Sequence, residues 1–584
     1  MNLNAYQSAL SMLHHLAITT PERPIYTFVS NNGRDVKVIN CLTVWQRAQQ
    51  IAYDLLVTHQ LSQGDCVLLV YPPGLEFVEA FLGCLYAGII PVPVPPPMPI
   101  NPESGLNGYQ YMAKDCNAVA QLTNQQYSLS RTFGRIRQAL TFGKKWPKLP
   151  WIITDKLKQY TELKPIAPHS DEIAFLQYTS GSTRAPKGVC ITFGNIWHQI
   201  SMNRIELDMN LDSTSVIWLP HYHDFSLISG ILNAACGNNQ LILFSPLEFL
   251  RRPALWGELL HRYQATHTAA PDFGYKLFTK RTTEEACEAW DFSSLRVVMS
   301  AAEPIEAKTV DDFLNTFAKQ KLNPNSFCPS YGLAEHTVAV TSWGRKRFKF
   351  DRNKLEQELI LHPAKDTAYV ELFGCGQQNQ NVNICIVDPI HKKVLSEGCV
   401  GEIWVDSPSK AQGYFNQPDE TISKFSAKLA HEDSTSWLRT GDLGAFYHDE
   451  LFIVGRLDDM IILDGRNIFP QDIESIIGSC DSRIKPGRVI AFDILNANQE
   501  KEIIAVLELR KKNTNSNELL AIVQNIRNSL QQELRLIKIT IAFANNGNIP
   551  KTTSGKLQRK KCRANWLLGE VDCYHIVDTK AYVF

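Results

Sequence analysis

Short apolar runs alternate with longer stretches whose apolar residues recur at helical spacing through the first half of the chain. The runs Cys66–Val70, Ile152–Ile153, Ile173–Leu176, Val216–Leu219, Gln240–Phe244 and Leu295–Met299 read as buried strands. Between them, Leu42–Thr58 and Pro253–Tyr263 read as helices. This alternation predicts an α/β architecture with largely parallel sheets. The longest apolar stretch, Phe77–Ile100, carries Glu79 and six prolines. It therefore predicts a buried helix over Phe77–Tyr86 that turns at Gly88 into an extended segment, and not a membrane span.

The texture changes after about Leu372. Asn383–Val387 and Gly401–Val405 are short strands close together, which predicts a smaller β-rich subdomain. A second change falls at Gly455–Asp459. Beyond it, Pro470–Ile477 and Asn517–Glu533 read as helices and Lys501–Leu509 as a strand. The last part of the chain thus predicts an α+β domain with its own core.

The 584 residues allow roughly three or four domains. Hydrophobic residues make up 44% and charged residues 20%, enough for large cores. Lysine plus arginine equals aspartate plus glutamate at 59 each, which argues against a protein dominated by nucleic-acid binding. The 14 cysteines are scattered, with no C-x-x-C pair. That fits a reducing compartment better than a disulfide scaffold or a zinc ribbon. The N-terminal stretch has no Lys or Arg before its apolar residues, so no secretory signal is expected and a soluble cytoplasmic protein is.

Tyr178–Gly188 reads YTSGSTRAPKG and follows the strand-like run at Ile173. Glycines let backbone N–H groups converge on an anion, and hydroxyls add donors that can follow a phosphate. The loop lacks the Gly-Lys-Ser/Thr succession of a Walker A loop, because Lys187 stands between Pro186 and Gly188. Taken alone, the same stretch also fits a solvated surface loop. His221, His223 and Asp224 hint at a metal site, but no Cys or His stands nearby at ligand spacing.

Six further segments follow in order: Leu219–Asp224, Ser300–Pro304, Ser330–Glu335, Arg439–Asp442, Gly455–Asp458 and Pro550–Lys556. With YTSGSTRAPKG they resemble the ordered core motifs of the adenylate-forming superfamily, which includes acyl-CoA synthetases, adenylation domains and luciferases. The resemblance implies a large N-terminal domain over 1–456, built of two α/β sheet subdomains and a small β-rich one. It implies a smaller mobile α+β lid over 457–584, with its hinge at Asp458. It also implies ATP and Mg²⁺ as cofactors. Thr179, Ser180, Gly181, Ser182 and Thr183 would hold the departing phosphates, with Lys187 adding charge. Glu335 would hold Mg²⁺, with Thr183 as a second contact. Ala302, Tyr331 and Gly332 would face the nucleotide, with Tyr331 stacked on adenine. Asp442 would accept from the ribose hydroxyls beside Arg456. His223 and Asp224 would line the acyl side, and Lys556 would bridge the carboxylate and the α-phosphate.

Within the superfamily, Ala87–Pro96, Trp218–Asp224 and Trp437–Leu443 resemble fatty acyl-AMP ligases. So does the extra segment Gly344–Glu371 before Phe373–Gly376. The resemblance implies that this insertion limits the domain movement needed for CoA thioester formation, so deleting it is expected to raise CoA thioester output. The activated acyl group of a medium- or long-chain fatty acid would pass instead to the phosphopantetheine arm of an acyl carrier protein. With only 28 residues after Lys556, the carrier is expected in trans. A fatty acyl-CoA ligase and a catalytically silent acyl- or nucleotide-binding protein are the alternatives. Retention of Glu335, Asp442 and Lys556 argues against the silent one. Gly376–Gln380 departs from the family's Gly-Arg-Pro-Leu-Pro-Gly, which leaves that turn's geometry open. The cluster Arg345, Lys346, Arg347, Lys349 and Arg352 reads as a carrier-docking patch or as a solvated charged strip. The stretch Asn195–Asn203 reads as a wall of the fatty-acid channel or as an ordinary amphipathic core helix.

Overall fold

The computed structural model describes residues 8–30, 32–98, 103–138, 146–157, 160–179, 185–237, 239–365, 368–463, 465–496, 500–511, 514–536, 538–552 and 555–578. Among these, the largest sheet has seven strands. Their spatial order is Phe327–Pro329, Val297–Ser300, His267–Ala270, Thr214–Ile217, Gln240–Phe244, Pro24–Val29 and Asp35–Asn40. All neighbours are parallel except the final pair. Helices such as Ala254–Arg262 and Asp272–Arg281 pack on it through Leu255, Trp256, Tyr275 and Phe278, all buried. Continuous apolar runs are what strands covered on both faces require.

A second, four-stranded parallel sheet has the order Ile90–Pro93, Cys66–Leu69, Ala120–Thr123 and Trp151–Ile153. The Phe77–Ile100 stretch behaves as its composition requires. Its helix runs Leu75–Ala87 and ends at Gly88 in the left-handed region. The chain then forms the edge strand Ile90–Pro93 of that sheet. An edge tolerates proline, whose missing N–H would break an inner ladder. The predicted helix Leu42–Thr58 is α-helical over Cys41–Tyr53 and continues as a π-helical turn over Asp54–Thr58. The Asn195–Asn203 helix extends to Phe193–Glu206, because the Thr192 hydroxyl and the Asn195 side chain cap it reciprocally.

The β-rich part is a five-stranded sheet of Asn383–Val387, Gly401–Asp406, Glu432–Tyr447, Ala427–Leu429 and Glu450–Arg456. The turn at Gly376 is built for glycine. Its φ is +97°, and a Cβ there would lie 1.7 Å from the Ser342 carbonyl oxygen. The C-terminal part has a sheet of Ile484–Leu495, Lys501–Leu509, Thr540–Ala544 and Cys573–Asp578. Helices Pro470–Cys480 and Ser516–Leu534 bury Ile473, Ile477, Ile522 and Ile526 against Val489, Leu507 and Ile541. That core is separate from the main one.

The segment 344–371 is part of the packed interior. Strand Arg347–Asp351 pairs antiparallel with Tyr369–Phe373, and helix Arg352–Glu358 follows Asp351, whose carboxylate caps it. Phe350 and Leu355 are buried with Val400, Leu443, Phe452, Val454 and Phe469. The basic cluster differs from a bare charged strip: Arg345, Arg347 and Lys349 are exposed, yet its members have partners within the chain. Arg347 pairs with Asp311 and Glu371, both at 2.7 Å. Arg352 pairs with Asp472 at 2.9 Å. Arg345 lies over the Trp343 ring, Lys349 lies over the Tyr369 ring, and Lys346 donates to the His448 carbonyl. Facing carboxylates and rings, which no count of local charge reveals, decide this difference.

Candidate functional site

The glycine- and hydroxyl-rich loop joins two antiparallel strands, Ile173–Thr179 and Lys187–Thr192. Register places Thr179 opposite Lys187 and Tyr178 opposite Gly188, so both ends of the loop meet at one point. Ser180, Gly181, Ser182 and Thr183 lie outside the described residues. Below the loop, the Tyr178 hydroxyl donates to Asp115 at 2.6 Å.

Lys187 does not point out freely from this hairpin. It is ion-paired with Glu420, and its ammonium lies 4.9 Å from the Tyr414 ring centroid. Burial and the neighbouring Lys424 lower its pKa. The Tyr414 hydroxyl in turn donates to Glu335 at 2.7 Å, and Lys424 stands 3.6 Å from the same carboxylate. Thus the strand pairing Tyr414↔Val189 brings the loop lysine and Glu335 into one cluster. Burial and Glu335 together raise the Tyr414 hydroxyl well above its ordinary range.

A second cluster is centred on Asp442, which is buried and lies opposite Arg456 in the strand pairing. Its Oδ2 accepts the Tyr331 hydroxyl at 2.8 Å, and its Oδ1 accepts Arg456 Nε at 2.8 Å. Asp442 raises the Arg456 pKa, whereas burial and Asp442 raise that of Tyr331. Each carboxylate oxygen keeps a second lone pair for another donor. The Tyr331 ring is fixed at its hydroxyl end and buried. Beside it, a Cβ on Gly332 would lie 1.8 Å from the Val338 carbonyl oxygen, so this backbone crossing requires glycine. Ala302 holds φ +77°, a left-handed conformation that costs a non-glycine residue about 1–3 kcal/mol.

The third cluster joins the two ends of the chain. His223 Nδ1 is 2.6 Å from Asp224 Oδ1, which also accepts the Phe225 N–H at 2.7 Å. Burial pushes the Asp224 pKa up, but His223, Lys556 and the Phe225 N–H outweigh it, so the net shift is downward. Lys556 acts likewise on Glu303. The charge of the C-terminal lysine is therefore felt at residues expected on the acyl side. His221 is buried against Phe77, with ring centroids 4.3 Å apart. Burial lowers its pKa to about 3, so it is a neutral imidazole.

The junction with the C-terminal part is pinned. Asp458, in the turn Leu457–Asp459, pairs with Lys560 at 2.8 Å. Arg559 bridges Asp459 at 2.9 Å and Glu474 at 2.6 Å. From the inserted helix, Glu356 accepts Arg466 Nε at 3.1 Å. The Glu356 carbonyl accepts Asn467 at 2.9 Å. Tyr414, Glu420, Lys424 and Glu303 were not expected from sequence. Glu303 stands inside the Ser300–Pro304 segment, which offered a signal. Tyr414 owes its place to the strand pairing with Val189, and Glu420 and Lys424 to helix Pro418–Phe425, and these left none.

The family match and the curated relatives show that the chain is an adenylate-forming enzyme. The chain belongs to the AMP-binding enzyme family, whose description matches residues 13–415. The AMP domain of Disco-interacting protein 2-like proteins matches residues 458–576. The chain is similar to a medium-chain-fatty-acid–[acyl-carrier-protein] ligase, JamA, of Moorena producens. That match is 33% identical over 585 residues and covers 98% of this chain and 97% of the relative. It is similar to a long-chain-fatty-acid–AMP ligase, FadD26, of Mycobacterium bovis, 31% identical over 580 residues, covering 95% and 96%. Among solved structures it resembles a fatty acyl-adenylate ligase from L. pneumophila in complex with acyl adenylate and pyrophosphate. That likeness has 30% identity and a TM-score of 0.73, and covers 99% of both chains.

Proposed function

We propose that this enzyme activates a medium- or long-chain fatty acid with ATP and passes the acyl group to the phosphopantetheine thiol of an acyl carrier protein. In the first step a carboxylate oxygen attacks the α-phosphorus of ATP, the bond to the bridging oxygen breaks, and pyrophosphate leaves. In the second, the carrier thiol attacks the acyl carbon, loses its proton, and AMP departs. The first step brings two anions together, so the site must supply fixed positive charge and preorganised donors.

Lys556 supplies that charge between carboxylate and α-phosphate, as a point charge on a long stem. His223 and Asp224 wall the acyl side beside it. Asp442 and Arg456 hold the ribose, Tyr331, Gly332 and Ala302 border the adenine, and Thr179–Thr183 with Lys187 hold the leaving phosphates. Glu335 fits Mg²⁺, because one carboxylate plus a hydroxyl such as that of Thr183 is a usual protein share for an ion that keeps its waters and phosphate oxygens. When bound, the ion would neutralise phosphate charge. Residues 1–456 act as the body and 457–584 as the lid, hinged at Asp458.

The observation that carries the choice of carrier over CoA is the clasp between the inserted helix and the C-terminal domain. Arg352 with Asp472 and Glu356 with Arg466 and Asn467 tie the C-terminal part to the inserted helix. A lid so held resists the rotation that CoA thioester formation requires. All 14 cysteines are free, which supports a reducing, cytoplasmic setting. The test is incubation with ATP, Mg²⁺ and lauric acid, with either CoA or a phosphopantetheinylated carrier protein. Acyl-AMP and acylated carrier are expected, and abundant acyl-CoA would overturn the carrier assignment.

A further inference from the structure

Tyr331, Gly332 and Glu335 share one hairpin. Strand Tyr331–Gly332 runs out, the short turn Ala334–His336 forms the tip, and strand Ala339–Ser342 returns. Thr337 makes the reversal, with φ +65° and ψ −66°. Its two neighbours close the turn, Val338 N–H donating to the His336 carbonyl at 2.7 Å. This is the rarer, strained form of γ-turn. Glycine takes such a conformation freely, whereas a β-branched residue in it is an outlier. Thr337 is fully buried, and its hydroxyl donates to the Ser409 carbonyl at 2.7 Å. That hydroxyl is what threonine brings to a position suited to glycine.

The chain that receives this bond also holds Glu335 at both ends. Ala411 N–H donates to the Glu335 carbonyl at 3.0 Å, and the Tyr414 hydroxyl donates to its carboxylate at 2.7 Å. His336 adds a third tie. Burial lowers its pKa to about 3, so the imidazole is neutral. Its Nδ1 faces the Ala339 carbonyl at 2.8 Å and therefore carries the proton. Its Nε2 then accepts the Ser407 hydroxyl at 2.6 Å. The Ser407 oxygen in turn accepts Ser409 N–H at 3.0 Å. Segment 407–411 is itself anchored on helix Phe193–Glu206. Asn195 Nδ2 donates to the Pro408 carbonyl at 2.8 Å and to the Lys410 carbonyl at 3.0 Å. His198 Nδ1 lies 2.6 Å from the Ser409 hydroxyl.

We propose that Thr337 is a positioning residue for Glu335: its hydroxyl, clamped to Ser409, holds the strained hairpin tip so that the Glu335 carboxylate is preset for a divalent cation. His336 with Ser407 is the second point of the same clamp. Strained backbone persists where its surroundings over-determine it, and three separate bonds to segment 407–411 do so here. A carboxylate fixed in this way gives up little freedom on taking a metal ion. This deepens the Mg²⁺ role proposed for Glu335 and rests on it.

The variants are Thr337→Gly, Thr337→Ser and Glu335→Gln, on the full chain. Glycine accepts the turn without strain and removes only the hydroxyl tie, and a denaturation curve checks that the fold is kept. Thr337→Gly is expected to raise the half-saturating Mg²⁺ for pyrophosphate release about ten-fold or more, with kcat at saturating Mg²⁺ little changed. Mn²⁺ affinity, read by electron paramagnetic resonance in the presence of α,β-methylene-ATP, should fall in parallel, and this readout needs no turnover. Thr337→Ser retains the hydroxyl and should restore most of that affinity. Amide hydrogen exchange at Ala411 should rise in Thr337→Gly. Should that variant fail to fold, Ser407→Ala, which cuts the His336 side of the clamp, carries the same expectations. An unchanged Mg²⁺ requirement and Mn²⁺ affinity in Thr337→Gly would overturn the clamp, and so would an equal loss in Thr337→Ser. If Glu335→Gln left Mn²⁺ affinity unchanged while exchange at Ala411 still rose in Thr337→Gly, the metal role of Glu335 would fall and the clamp on its backbone would stand.

Discussion

Single side chains here are tuned by their neighbours, and two of them give measurable expectations. The charge of Lys556 acts on the Asp224 and Glu303 carboxylates from far along the chain. Lys556→Ala is expected to cut acyl-AMP formation by about 10²–10³, the usual cost of removing a preorganised stabilising group. Pyrophosphate release checks it, with a denaturation curve to show that the fold is kept. Asp272 is buried, and burial with Glu303 and Glu306 pushes its pKa from the ordinary 3.8 to about 7. The folded protein therefore holds a proton that the unfolded chain would release. Its contribution to stability is full below about pH 4 and is lost as the pH rises through about 7. Asp272→Asn should flatten that decline. The span of the shift sets an upper size of roughly 4 kcal/mol, read by denaturation at pH 5 and pH 8.

The inserted segment is the element whose role changes most once its packing is seen. Deleting 344–371 would strip Phe350 and Leu355 from a core shared with Leu443, Phe452 and Val454. Loss of fold would then mask any gain in CoA use. Phe350→Ala alone is expected to cost about 3–5 kcal/mol, measured by chemical denaturation. The cleaner cut is at the clasp. Arg352→Ala with Arg466→Ala removes the ties to Asp472 and Glu356 while leaving that core in place. Acyl-CoA output should rise several-fold relative to wild type, with acyl-AMP formation largely kept. Product analysis with lauric acid, ATP and CoA reads both. An unchanged acyl-CoA yield would show that the clasp does not set the choice of acceptor.

At the scale of the whole molecule, the C-terminal part has a core of its own but is joined to the rest by Phe469, which packs into the core around Phe350, and by two lines of polar contact. One line is the inserted helix against Asp472 and Arg466. The other is Gln471, which donates to the Val454 carbonyl at 2.7 Å. Charged contacts of this kind weaken with salt more than apolar packing does. Raising ionic strength should therefore raise acyl-CoA output more in the wild-type enzyme than in the Arg352→Ala, Arg466→Ala variant, which has already lost these charged contacts, as product analysis at low and high salt would show.

Much of this protein was legible before its tertiary structure. Strand runs and helix periods depend on neighbours a few residues away, so the parallel α/β body, the β-rich part and the α+β end could be read from the chain. The motif residues Glu335, Asp442 and Lys556 could be named because each stands in a short segment of fixed spacing. What those residues touch could not be read. Lys187 is engaged by Glu420 and Tyr414, and in the basic run Arg347 and Arg352 pair with the distant carboxylates of Asp311 and Asp472. Glu356 meets Arg466 110 positions further along the chain. Such contacts join segments distant in sequence, and they are set by sheet register and domain packing. The sequence determined which chemistry is present, and the tertiary structure decided which charges face one another, because electrostatic pairing depends on distance in space and on burial.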